Sequence, residues 1–302
     1  MMSKLIFTFF FLITFALNQG FACDICGCSS GSYFIGPFPQ FSNHFIETRY
    51  SFEKYGTILS SDNTQFSNDF YQTTELMAGT NIKNKWQLLM FVPYNFLYSK
   101  SDDGINRSSG IGDLTLMGNY NLLESVNLNR DTVTVRQQLW VGGGLKVPTG
   151  KFSVNPDELI SSANSQPGTG SFDYVANLIY SFQIKSWGFN VNSSYRINQY
   201  ADHYRFGNRL NLSAFIYRTF HIGKIGLSPN VGIINELLAS NMDNHKKVAD
   251  TGGHILMSVT GIELKFNNIV LGFNDQIPLS SNLSSGQTDA KFRGMCHLSY
   301  MF

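Results

Sequence analysis

The sequence predicts an all-β chain, a transmembrane antiparallel β-barrel of about twelve strands behind a cleaved leader. Three observations point there. Short segments alternate apolar and polar residues with a period of two, and amphipathic helical stretches are almost lacking. The segments also run longer than the roughly 5–6 residues usual in soluble sheets. Their connections alternate too, mostly tight after even-numbered segments, longer and polar after odd-numbered ones, as in outer-membrane barrels.

Taken in order, the chain opens with MMSKLIFTFFFLITFALNQGFA, in which Lys4 precedes an apolar run from Leu5 to Leu17 and small residues stand at Gly20 and Ala22. That is the order of a secretory signal peptide, and the run is too short for a spanning helix, which needs about 20 residues. Residues 1–22 are therefore assigned to a leader cleaved after Ala22. Lipid attachment at Cys23 is the alternative, although Gly20-Phe21-Ala22 lacks the usual leucine of a lipobox.

Residues 23–41 form a cysteine-rich N-terminal segment. Cys23, Cys26 and Cys28 have the spacing Cys-x-x-Cys-x-Cys. Thiolates so placed suit copper(I) or zinc, with Asp24 or His44 as further donors. An exported, oxidising compartment instead favours a disulfide, which would leave one thiol over. Metal site, disulfide and lipid anchor all stay open. Ser29–Phe41 is small, apolar and proline-containing, either an arm that partly plugs a lumen from the periplasmic side or a linker on its rim.

Residues 42–302 are assigned to the barrel. Its segments are Asn43–Phe52, Phe70–Ile82, Lys85–Tyr98, Ile111–Leu123, Thr132–Val147 and Ser171–Ile184, then Trp187–Tyr200, Asn208–Phe220, Lys224–Leu237, Gly253–Phe266, Asn268–Leu279 and Lys291–Phe302. Longer loops are expected at Lys54–Asp69, Ser99–Gly110, Pro148–Gly170, Ala239–Gly252 and Ser280–Ala290. Both termini then fall on the short-turn, periplasmic side. In the sixth segment Phe172, Tyr174, Leu178 and Tyr180 oppose Asp173, Asn177 and Ser181. A soluble sandwich would bury the first set and a membrane barrel the second; alternation alone does not choose. Segment length, aromatics near segment ends and the terminal Phe302 favour the barrel. A last strand ending in phenylalanine resembles the signal read by the outer-membrane barrel-assembly machinery, an expected partner. Cys296 shares that strand's apolar face and should meet lipid.

A family resemblance rests on the middle of the chain. GIGDLTLMGNYNLL (Gly110–Leu123), GGGLKVPTGKF (Gly142–Phe152) and QPGTGSFDYVANLIYSF (Gln166–Phe182) resemble, in this order, motifs of the outer-membrane family named for the MetA pathway of phenol degradation. DHYRFGNRLNLSAFIY (Asp202–Tyr217) matches in style. That family is regarded as transporters, distantly similar to long-chain fatty-acid and aromatic-hydrocarbon channels. The resemblance implies an outer-membrane channel for small, apolar or aromatic solutes in a Gram-negative bacterium.

Asp113, Arg136, Lys146, Asp173 and Arg196 fall on the face assigned to the lumen and are the candidate solute path. Buried charges must be paired or hydrated, so the same residues could instead only hold the barrel together. Gly142, Gly143 and Gly144 leave room or bend the strand, and Pro148 ends it at the rim. With net charge +1 and 14% charged residues, nothing suggests a nucleic-acid partner. Neither a Gly-x-Ser-x-Gly elbow nor a His-Glu-x-x-His motif occurs, so an enzyme is not expected. A metal-linked envelope protein and a non-transporting structural barrel are the competing readings.

Overall fold

The computed structural model describes residues 44–58, 66–101, 104–128, 134–153 and 166–302. The leader and the segment carrying Cys23, Cys26 and Cys28 lie outside the described residues.

Twelve long strands make one closed sheet. They are β1 (Phe45–Ile58), β2 (Phe66–Ile82), β3 (Trp86–Ser101), β4 (Gly104–Ile111 and Leu114–Leu128, interrupted at Gly112-Asp113), β5 (Thr134–Val147) and β6 (Asp173–Ile184). Then follow β7 (Trp187–Ile197), β8 (Arg209–Arg218), β9 (Ile225–Leu238), β10 (Gly253–Phe266), β11 (Ile269–Leu283) and β12 (Thr288–Met301). Each pairs antiparallel with the next, and β12 returns to β1 from Phe45↔Met301 to Thr57↔Thr288. Closure leaves no sheet edge, which a lipid environment requires because it offers unpaired backbone groups no water.

Burial is inverted relative to a soluble protein. On β6, Tyr174 and Leu178 are 55% and 44% exposed, while Asp173 and Asn177 are 0% and 5%. Leu298 and Tyr300 face out on β12, whereas Arg293, His297 and Ser299 are buried. Among the described residues, buried polar side chains outnumber buried apolar ones, and a belt of exposed leucine, isoleucine and aromatic residues surrounds the wall. Such a surface is stable only against hydrocarbon; the chain is a transmembrane barrel of the outer membrane. Cys296 lies on this outer face, between Tyr50 and Phe273 on the neighbouring strands.

The short turns use left-handed backbone. Lys83 and Asn84 both have positive φ, 53° and 55°, between β2 and β3, and Asn267 has φ 52° between β10 and β11. Such turns match the twist of the flanking strands. At the same end Phe302 N donates to His44 O at 2.9 Å, and the Phe302 ring stacks on His44 and Tyr300.

Three expected loops prove to be mostly strand. β1 continues to Ile58 and β2 begins at Phe66; β3 runs to Ser101 and β4 already starts at Gly104; β11 reaches Leu283 and β12 starts at Thr288. The reason is physical. Above the membrane both faces of a hairpin meet water, so apolar alternation fades while the backbone ladder continues. Residues 104–106 are exposed on both faces, yet the stretch from Gly104 to Ile111 pairs with β3 throughout. Among the described residues, the longer stretches outside the twelve wall strands follow β5, β7 and β9.

Candidate functional site

Among the described residues, three of the buried cations inside the barrel each lie between two carboxylates. Arg49 Nη2 lies 2.9 Å from Glu47 Oε1, and Nη1 lies 3.6 Å from Glu75 Oε1. Ser299 Oγ donates to the other oxygen of Glu47 at 2.5 Å. Arg293 reaches Glu236 at 2.6 Å and Glu53 at 3.2 Å, and also donates to the Tyr55 hydroxyl at 2.8 Å. Since Arg293 is on β12 and Glu236 on β9, this contact bridges non-adjacent strands across the interior. Lys146 Nζ lies 3.1 Å from Asp113 Oδ2 and is also paired with Asp173 and bonded to Thr169 Oγ1. Removing such charges from water is costly unless both partners and their remaining lone pairs are satisfied.

The Lys146 node explains the sequence motifs. Asp113 sits in the break of β4, where its Oδ1 accepts from Gly150 N at 3.0 Å and its Oδ2 from Thr169 N at 2.9 Å and Thr169 Oγ1 at 2.6 Å. Thr149 Oγ1 donates to Gly112 O and accepts from Leu114 N, bridging the two halves of β4. Asp173 accepts from Ser171 Oγ and Gln199 N. A Cβ on Gly150 would approach Gly168 Cα to 2.6 Å, so both loop limbs need glycine to pass. The returning limb then lays Pro167 O against Asn95 Nδ2 of β3 at 2.8 Å. The Gly-Ile-Gly-Asp, Lys-Val-Pro-Thr-Gly and Gly-Thr-Gly-Ser stretches are thus one contiguous device that straps the loop after β5 onto the wall. Farther down β5, a Cβ on Gly142 would strike the Asn119 and Asn177 amides, so this glycine makes room for polar groups in the lumen.

Of the five sequence-predicted path residues, Asp113, Lys146 and Asp173 meet at this node. Arg196 is buried beside it, directly opposite Arg209 on β8, and borders a cleft shared with Lys146, Thr169, Asn198 and Asn241. Arg136 does not join them. It points into the other, periplasmic mouth and pairs at 3.1 Å with Glu124, the two side chains being 41% and 37% exposed. Sequence reasoning did not single out Arg49, Glu47, Glu75, Glu53 or Glu236 as path residues. A signal was present: charges two residues apart on a single strand face, as in Glu47-x-Arg49, mark a paired interior.

Apolar side chains share the lumen with these nodes. Tyr55, Tyr71, Leu97, Phe215, Ile255 and Met295 belong to one buried cluster contributed by strands around the bore. A second cluster, with Phe45, Met77, Phe91 and Met301, occupies the periplasmic half. Among the described residues no set of three His, Cys, Asp or Glu side chains is arranged to hold a metal ion. The three candidate metal-ligating cysteines lie outside the described residues.

No family model matches the sequence, and no curated protein matches it either. Solved structures do resemble the fold. An outer-membrane channel from Pseudomonas putida superposes with TM-score 0.59 at 16% identity, over 90% of this chain and 99% of that one. The β domain of a Bordetella autotransporter gives TM-score 0.49 at 10% identity, over 86% of this chain and all (100%) of that one. The first likeness places this chain, by fold, among outer-membrane barrels.

Proposed function

We propose that the protein is a passive outer-membrane channel for small molecules, apolar or aromatic in character, and a relative of the family named for the MetA pathway. The observation that carries this reading is the composition of the lumen. Aromatic and aliphatic side chains around Tyr55, Tyr71 and Phe215 alternate with hydrogen-bonded ion nodes instead of forming a purely hydrated bore. Such a lining offers ring faces for stacking and polar groups to orient a solute. The resemblance of the motifs at the Lys146 node to those of the MetA family supports the same class of solute. The test is flux into liposomes holding the folded protein, comparing a phenolic solute with a sugar of similar size. Faster entry of the phenolic solute, above its rate through protein-free liposomes, is expected. Equal rates for the two, or no flux above the lipid background, would contradict it.

A second reading, a structural barrel without transport, is favoured by one feature. Lumen side chains such as Gln87, Asn119 and Met77 are fully buried, at 0% exposure. A barrel of this size can be filled by its own side chains. The metal-linked reading rests on Cys23, Cys26 and Cys28 alone, and metal content of the mature protein before and after their change to Ser tests it.

A further inference from the structure

We propose that the outer face of β12, β1, β2, β3 and β4, at the loop end, is a docking site for a phosphorylated, multiply acylated glycolipid of the outer leaflet. The inference rests on the barrel's placement in the membrane and is independent of the solute.

Five residues stand directly opposite one another on these consecutive strands: Phe292, Lys54, Phe70, Tyr98 and Arg107. All five belong to the lipid-facing set of their strands. Lys54 Nζ lies 5.3 Å from the centroid of the Phe70 ring, and the Arg107 guanidinium lies 5.3 Å from that of Tyr98. The rings hold the cations over the wall while the stems cover apolar surface. Lys100, also exposed, stands one row nearer the loops, opposite Asn68 and Ile105.

Beneath this row lies a groove of about 550 Å³ lined by Phe70, Gln72, Phe96, Tyr98, Arg107 and Ser109. Farther into the membrane the same face presents Tyr50, Tyr94 and Ile111, all exposed. Cations at the loop end, with aromatic rings beside and below them, follow the order of an anionic lipid from charged headgroup to interface. Lys54 and Arg107 are three strands apart, about 14 Å at the usual strand spacing. That separation suits a headgroup carrying two phosphates, with the groove between them taking an acyl chain.

Native mass spectrometry of the folded protein in detergent tests the site, with bisphosphorylated lipid A, dephosphorylated lipid A and phosphatidylethanolamine as probes. The bisphosphorylated form should be retained at least roughly tenfold more than the other two. The K54A/R107A variant should lose that preference, whereas K83A/K85A, at the opposite rim, should keep it. Equal retention of the dephosphorylated form by the wild-type protein would overturn the proposal. So would undiminished retention by K54A/R107A, or an equal loss in K83A/K85A. The wild-type comparison decides even if K54A/R107A fails to fold.

Discussion

The Lys146 node and the Arg293 node solve the same problem with different materials. Each holds one cation between two carboxylates inside the barrel. Around Lys146 the carboxylates keep other donors: backbone N–H groups of Gly150, Thr169 and Gln199 and the hydroxyls of Thr169 and Ser171. Around Arg293 side chains from β1, β9 and β12 carry the bonding. The difference teaches where loss of a cation is tolerated. A carboxylate with several backbone and hydroxyl donors remains partly satisfied; one that depends on a guanidinium does not.

The largest loss is expected from Arg293→Ala. It leaves Glu236 buried without its cation and Glu53, only partly buried, with the Tyr55 hydroxyl as donor, and the expected cost is about 3–5 kcal/mol, read from denaturant unfolding in detergent. Lys146→Ala should cost less, about 2 kcal/mol, because Asp113 and Asp173 retain their other donors. Equal losses in the two variants would remove the distinction. Gly150→Ala probes the strap without touching charge. With Gly168 Cα 2.6 Å from the new Cβ, the limbs must separate, at about 1–2 kcal/mol. Faster proteolysis between β5 and β6 should accompany that loss. Smallest of all is Arg136→Ala. Its pair with Glu124 is well exposed, so stability should change by less than about 0.5 kcal/mol, while ion selectivity at the periplasmic mouth shifts.

The same contrast shows what was legible in the sequence. Strand number and the division of each strand into two faces followed from alternation; which face meets lipid followed from segment length, the aromatics near segment ends and the terminal Phe302. Tyr174 and Leu178 against Asp173 and Asn177 is enough to separate the two faces of β6. Strand ends were not legible where hairpins rise out of the membrane. Residues 104–106 are exposed on both faces, and a ladder of backbone bonds leaves no period in the side chains. The Lys146 node could be located because its glycines, Pro148 and Asp113 serve unusual backbone geometry and so form recognisable motifs. The Arg293–Glu236 bridge could not. Alternation places each residue in the lumen, yet which two strands face each other across the bore depends on closure of the whole sheet.

A channel requires a solute path through this closed, side-chain-lined barrel. Single-channel recording in a planar bilayer, with folded protein whose insertion is verified independently, tests it most directly. Discrete, small conductance steps are expected, with a selectivity that changes in Arg136→Ala. A folded, inserted barrel that passes no current above the bare bilayer would contradict it and leave the protein a structural wall.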